Sequence, residues 1–159
     1  MIPYSLKLPP VLMLLALTSY SQAATERLEI GKFHSRAIWN KVELADPNQK
    51  SPAVLMIPGS GANGPEEMSP GTLTTDGLDH ALFSEMSEAI RRGGAHTLAL
   101  GKPGVEFFSS WLPLTWFYDR DLYKKLKWQD LIDNIAEGVQ FLRQQSSVDL
   151  NRIYVLGHS

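Results

Sequence analysis

The 159-residue chain has no cysteine, which excludes a disulfide framework, a thiolate metal site and a lipid-modified cysteine behind a leader, and leaves folding to a hydrophobic core. It also lacks an excess of either charge: the formal net charge is -2, so neither a nucleic-acid surface nor an acidic tail is indicated. No hydrophobic run is long enough to span a bilayer core of about 30 Å. Internal repeats, heptads and low-complexity tracts are absent as well. With 43% hydrophobic residues the composition is that of a soluble globular domain rather than a disordered chain.

The first segment reads as an export signal. Lys7 supplies a positive start, Val11 to Leu17 a short apolar core, and Ser21-Gln22-Ala23 a small-residue cleavage site. Pro9 and Pro10 oppose a long anchoring helix. Residues 1–23 are therefore expected to be removed, leaving 24–159 as one domain in a bacterial periplasm or outside the cell, with no stable membrane anchor.

Along residues 24–159 the pattern is that of an α/β fold. Glu26 to Phe33 and Arg36 to Leu44 predict an antiparallel hairpin at a sheet edge. Ala53 to Ile57 is a continuous apolar run of the kind buried on both faces of a parallel sheet, and it stops at Pro58. Gly59 to Gly77, rich in Gly, Pro, Ser and Thr, predicts a long surface loop. A helix starting at Leu78 or Asp79 carries Leu82, Met86 and Ile90 at helical spacing until Gly93-Gly94. His96 to Leu100 predicts a second buried strand, closing a strand-helix-strand crossover. An aromatic insertion follows, with Phe107, Phe108, Trp111, Trp116, Phe117 and Tyr118; it either lines an acyl pocket, covers a site or simply buries area. The charged stretch Asp119 to Lys127 leads to a helix over about Gln129 to Gln145, striped by Leu131, Ile135, Val139 and Leu142. Ile153 to Leu156 predicts a last buried strand.

That strand runs into Gly157-His158-Ser159, the first half of the G-x-S-x-G nucleophile elbow, in which a sharp strand-to-helix turn exposes a serine hydroxyl. Gly59-Ser60-Gly61-Ala62-Asn63-Gly64 satisfies G-x-G-x-x-G to the letter, so a dinucleotide site built on Gly59, Gly61 and Gly64 has to be weighed. Against it, that fingerprint should open a helix, whereas Pro65 and about a dozen loop residues intervene, and no following strand ends in an acid. In a hydrolase the same glycines let the main chain approach a substrate and donate an N–H to a developing oxyanion, a contact worth about 2.7–4 kcal/mol in the transition state.

Taken together, Ile57-Pro58-Gly59-Ser60-Gly61, Gly101-Lys102-Pro103-Gly104-Val105 and Gly157-His158-Ser159 resemble the N-terminal portion of the α/β-hydrolases, similar to secreted bacterial esterases and serine aminopeptidase-like enzymes. The resemblance implies an incomplete α/β-hydrolase fold: an N-terminal hairpin, then parallel strands with crossover helices, truncated at the nucleophile elbow. It implies that Ser159 is the nucleophile, Gly157 and His158 shape the elbow, and the Ser60 N–H is an oxyanion donor flanked by Gly59 and Gly61. The triad acid and base are expected after residue 159, and the third strand between the fourth and fifth. Ester, thioester or amide substrates follow, small molecules or peptides, with no cofactor, no metal and no nucleic acid. The competing reading is a non-catalytic, hydrolase-derived fragment or binding module. Where the relatives have His and Asp-Arg-Asp-Gly, this chain has Pro58 and Gly64-Pro65-Glu66-Glu67-Met68, and proline replaces an arginine at Pro103. His34, His80, His96 and His158 are expected to be structural or solvated, and Glu66-Glu67 and the acids of Asp119 to Asp133 to form a solvated face. Oligomeric state is not legible.

Overall fold

The computed structural model describes residues 24–69, 75–107 and 118–158. The leader-like segment, most of the aromatic insertion (Phe108, Trp111, Trp116 and Phe117) and Ser159 lie outside the described residues.

A five-stranded sheet carries the fold. Thr25–Ile30 (β1) and Ser35–Asn40 (β2) form the edge hairpin, antiparallel in the register Thr25 to Asn40. Ser51–Ile57 (β3), His96–Leu100 (β6) and Val148–Gly157 (β7) complete it in the order β1-β2-β6-β3-β7, with β3 parallel to both β6 and β7. The third long strand thus lies between the two that follow it, as expected. The loop expected over Gly59 to Gly77 contains Met68–Ser69 (β4), which pairs with His80–Ala81 (β5) in a separate two-stranded ribbon. That ribbon delays the helix: α1 spans Leu82–Arg92 rather than starting at Leu78, and His80 sits in β5.

Alternation along β3 explains its continuous apolar run. Ala53 and Leu55 pack on one face of the sheet with Trp39, Leu98, Leu100 and Leu142, whereas Met56 packs on the other with Ile38, Phe83 and Ala99. Side chains of successive residues point to opposite faces, so a strand covered on both sides must be apolar throughout. Helix α1 covers the second face; Trp128–Gln144 (α3) covers the first. The line of α3 closest to the sheet is Asn134, Gly138 and Leu142, with Leu131, Ile135 and Val139 only half-buried. Gly138 lies against Leu55 and Leu100, and Asn134 Nδ2 donates to Gly101 O at 3.1 Å, so the polar and small residues face the sheet rather than the apolar stripe alone. A short helix, Arg120–Lys125 (α2), is capped by the Asp119 carboxylate, which accepts from the N–H of Asp121 and Leu122. The acids of this stretch remain largely exposed, as expected.

Candidate active site

The parallel register of β3 and β7 brings their ends together, since Ile57 pairs with Gly157. The glycine turn after β3 and Gly157-His158 at the end of β7 therefore leave the same edge of the sheet side by side, and His158 N–H donates to Ile57 O at 3.0 Å. Gly59 is buried and Ser60 exposed at the rim. A Cβ on Gly59 would stand 2.8 Å from His158 Nδ1, so only glycine allows the elbow this close; Gly61 has φ +93°.

A correction concerns Glu66 and Glu67. Both are buried, at 6% and 5% exposure, instead of forming a solvated face. The reason is the ribbon: Leu82 N–H donates to Glu67 O and Phe83 N–H to Glu66 O, which folds the loop back under α1. Glu66 lies 3.7 Å from an Arg27 nitrogen. Glu67 adopts φ +48°, a conformation uncommon outside glycine, and its Oε1 accepts from Gly59 N–H at 3.3 Å, Asn63 Nδ2 at 3.0 Å and His158 Nδ1 at 2.8 Å. A carboxylate only accepts, so His158 carries a proton on Nδ1. One buried carboxylate thus ties the glycine turn to the elbow.

The other side of the turn is held by a residue just after β6 and one in α2. Lys102 Nζ donates to Gly59 O and to Gly61 O, and Tyr123 Oη donates to Gly61 O at 2.6 Å. Burial pushes the Lys102 ammonium below its ordinary pKa, with the Glu67 charge opposing, and burial raises that of the Tyr123 phenol.

Two cavities flank this arrangement. A cleft of about 710 Å³ is lined by Ser60, Asn63, Glu67, His80, Glu85 and His158, among others. An apolar pocket of about 250 Å³ lies between the ends of β3 and β6 and the Trp128, Leu131 and Ile132 face of α3. Ser60 lines both. In the cleft, His80 bridges Glu85 and Asp76 at 2.8 Å each, and those hydrogen bonds raise its pKa.

Each histidine already has a partner. His34 contacts Glu29, His80 contacts Asp76 and Glu85, His96 accepts from Val42 N–H and reaches Ser147 O, and His158 contacts Glu67. His34 and His96 thus have the structural or solvated places expected of them, while His80 and His158 face the cleft. Among the described residues no group of side chains is arranged to hold a metal ion, and no helix is long and apolar enough to cross a membrane. The dinucleotide reading finds no support in the backbone, because the helix after Gly59 to Gly64 starts only at Leu82. Sequence reasoning missed Glu67, Asn63 and Tyr123 as parts of the site; no spacing marks them, because the ribbon and α2 bring them there. Lys102 was visible only as part of the Gly101 to Val105 turn.

No protein-family model matches the chain, and no curated protein matches it by sequence. Solved structures do. The 2,6-dihydroxy-pseudo-oxynicotine hydrolase superposes with a TM-score of 0.51 at 17% identity, covering 86% of this chain and 30% of that one. Acylaminoacyl peptidase in complex with Z-Gly-Gly-Phe-chloromethyl ketone gives 0.44 at 18% identity, over 85% and 19% of the two chains. Glucuronoyl esterase from Solibacter usitatus gives 0.37 at 13%, over 98% and 48%. The chain spans less than a third of the pseudo-oxynicotine hydrolase, and at this identity the likeness is one of fold. The sheet order, the two helix layers and this likeness give the described residues an α/β-hydrolase-like fold, over part of the length of such a domain.

Proposed function

We propose that the full-length protein is an exported serine hydrolase that cleaves an ester, thioester or amide through an acyl-enzyme at Ser159. The observation that supports this reading is the pairing of Ile57 with Gly157, which sets the Gly59-Ser60-Gly61 turn beside Gly157-His158. Ser159 Oγ attacks the substrate carbonyl and loses its proton to a base. The Ser60 N–H and the amide after the nucleophile donate to the oxyanion, the leaving group departs with the proton, and water then releases the acid. The base and its orienting acid are those that the fold's chain order places after the nucleophile. No cofactor is needed. The acceptable substrates are small acyl compounds or peptides that enter the cleft along Ser60 and His158. The site acts outside the cytoplasm, after cleavage behind Ala23.

The second reading is a hydrolase-derived binding module without turnover, in which the cleft lined by Ser60, Asn63 and Glu67 holds a ligand unchanged. A fluorophosphonate probe separates the two when applied to the exported full-length protein and its Ser159→Ala variant. The hydrolase reading expects one adduct per chain, on Ser159, absent from the variant, and a mature N-terminus at Ala24. A folded, exported protein that takes no adduct establishes the binding reading instead.

A further inference from the structure

Three consecutive carbonyls in the glycine turn are held by side chains. Lys102 Nζ holds Gly59 O, Asn63 Nδ2 holds Ser60 O at 2.8 Å, and Lys102 Nζ at 2.6 Å together with Tyr123 Oη holds Gly61 O. No peptide bond in the described chain is cis. In a trans peptide the N–H points opposite to the carbonyl of the same plane. Fixing the Gly59 carbonyl therefore fixes the Ser60 N–H, and fixing the next two fixes the N–H groups of Gly61 and Ala62. Among the described residues none accepts a hydrogen bond from these three amides. The Gly59 N–H, by contrast, is committed to Glu67.

An amide whose own-plane carbonyl is bound on the far side is a fixed donor for a negative oxygen. Asn63 is local, but the donors to the Gly59 and Gly61 carbonyls come from distant parts of the chain: Lys102 from just after β6 and Tyr123 from α2. Lys102 lines the apolar pocket with Gly59 and Ser60, and it does not line the cleft that holds Asn63 and His158. Its ammonium therefore approaches the turn from the side away from the cleft.

We infer that Lys102 is the positioning residue of the oxyanion turn, with Tyr123 as its second donor: the ammonium holds the Gly59 and Gly61 carbonyls on the side away from the cleft, so that the Ser60 and Ala62 N–H groups face it. This rests on the proposed role of Ser60. The two carbonyls need a donor with more than one N–H directed at separate targets, which an ammonium supplies and a hydroxyl does not.

The test combines turnover with the conformation of the turn in the full-length protein, using Lys102→Met, Lys102→Arg and Tyr123→Phe. Lys102→Met is expected to lower the backbone order parameters of residues 59–62 from about 0.85 to below about 0.6, while β3 and β6 stay rigid. It should lower kcat on a p-nitrophenyl ester toward the roughly 10²–10³-fold loss of a missing oxyanion donor, with KM nearly unchanged. Tyr123→Phe should give the same pattern more weakly, and Lys102→Arg should recover part of it. Unchanged order in the turn of Lys102→Met overturns the inference, as does a lost kcat with the turn still ordered. If Lys102→Met does not fold, Tyr123→Phe with an unaltered turn and unaltered kcat overturns it. A wild-type protein with no turnover refutes the hydrolase reading instead, and the order parameters still decide the role of Lys102.

Discussion

The Glu67 carboxylate is almost solvent-free, and one of its oxygens accepts three hydrogen bonds, from Gly59, Asn63 and His158. A buried anion is tolerated only when it is met by such donors, and removing it strands them. Glu67→Ala leaves the buried Gly59 N–H with no acceptor, at about 1–3 kcal/mol, and takes one acceptor each from Asn63, which keeps Ser60 O, and from the partly exposed His158. The expected result is a loss of at least about 2 kcal/mol in urea unfolding, beyond the typical effect of about 1 kcal/mol for a point mutation. The φ of +48° fits the same picture, since a residue held in a sparsely populated backbone region marks a place where the surroundings fix the geometry. A Glu67→Ala variant as stable as the parent would show that the carboxylate is not the tie between turn and elbow.

At the scale of elements, β6 shows how a single side chain joins three segments. His96, its first residue, is fully buried; its Nδ1 accepts from Val42 N–H at 2.9 Å after β2, and its Nε2 lies 3.3 Å from Ser147 O before β7. Both bonds are made by the neutral imidazole with its proton on Nε2, because a carbonyl accepts and an amide donates. Burial holds its pKa below the ordinary value of 6.5, and the hydrogen bond to Ser147 opposes that only in part. The unfolded chain then binds the proton more readily than the folded one, so the His96 contribution to stability is complete above pH about 6.5 and is lost as pH falls toward the lowered folded value. His80 has the opposite sign: its raised pKa gives a contribution complete below 6.5 and lost as pH rises through the folded value. With His80 replaced by Gln to remove its opposing contribution, urea midpoints measured from pH 7.5 down to 5 are expected to fall, and a further His96→Gln to flatten the part of that fall between 6.5 and the lowered value. A slope unchanged in His96→Gln would assign the acid sensitivity to other groups.

At the scale of the whole molecule, β7 is the outermost strand of the sheet among the described residues, paired on one side with β3. Tyr154 and Val155 are 56% and 57% exposed, and Trp128 and Ile132 of the neighbouring α3 are exposed too. A long apolar edge with free N–H and C=O groups recruits further strands. The polypeptide of residues 24–159, made by itself, is expected to self-associate, and Val155→Lys to reduce that association. Light scattering of the two proteins at equal concentration checks this, and a monomeric, cooperatively melting parent chain would refute it.

Local chemistry was legible in the sequence wherever one residue type has few alternatives. The apolar runs of β3 and β6 marked strands covered on both faces, and the 3.6-residue spacing marked both long helices. Gly59-Ser60-Gly61 and Gly157-His158 marked two turns, and their adjacency at one sheet edge followed from the expected strand order. What the tertiary structure alone decided was which polar side chains hold those turns. Glu66-Glu67 reads as a solvated pair because adjacent acids ordinarily are; the β4–β5 ribbon and α1 bury it by supplying N–H donors from Leu82 and Phe83. Lys102 and Tyr123 reach the glycine turn across 41 and 62 residues of chain. Periodicity describes only neighbours within an element, whereas these hydrogen bonds depend on where separate elements stop, which is set by packing across the sheet.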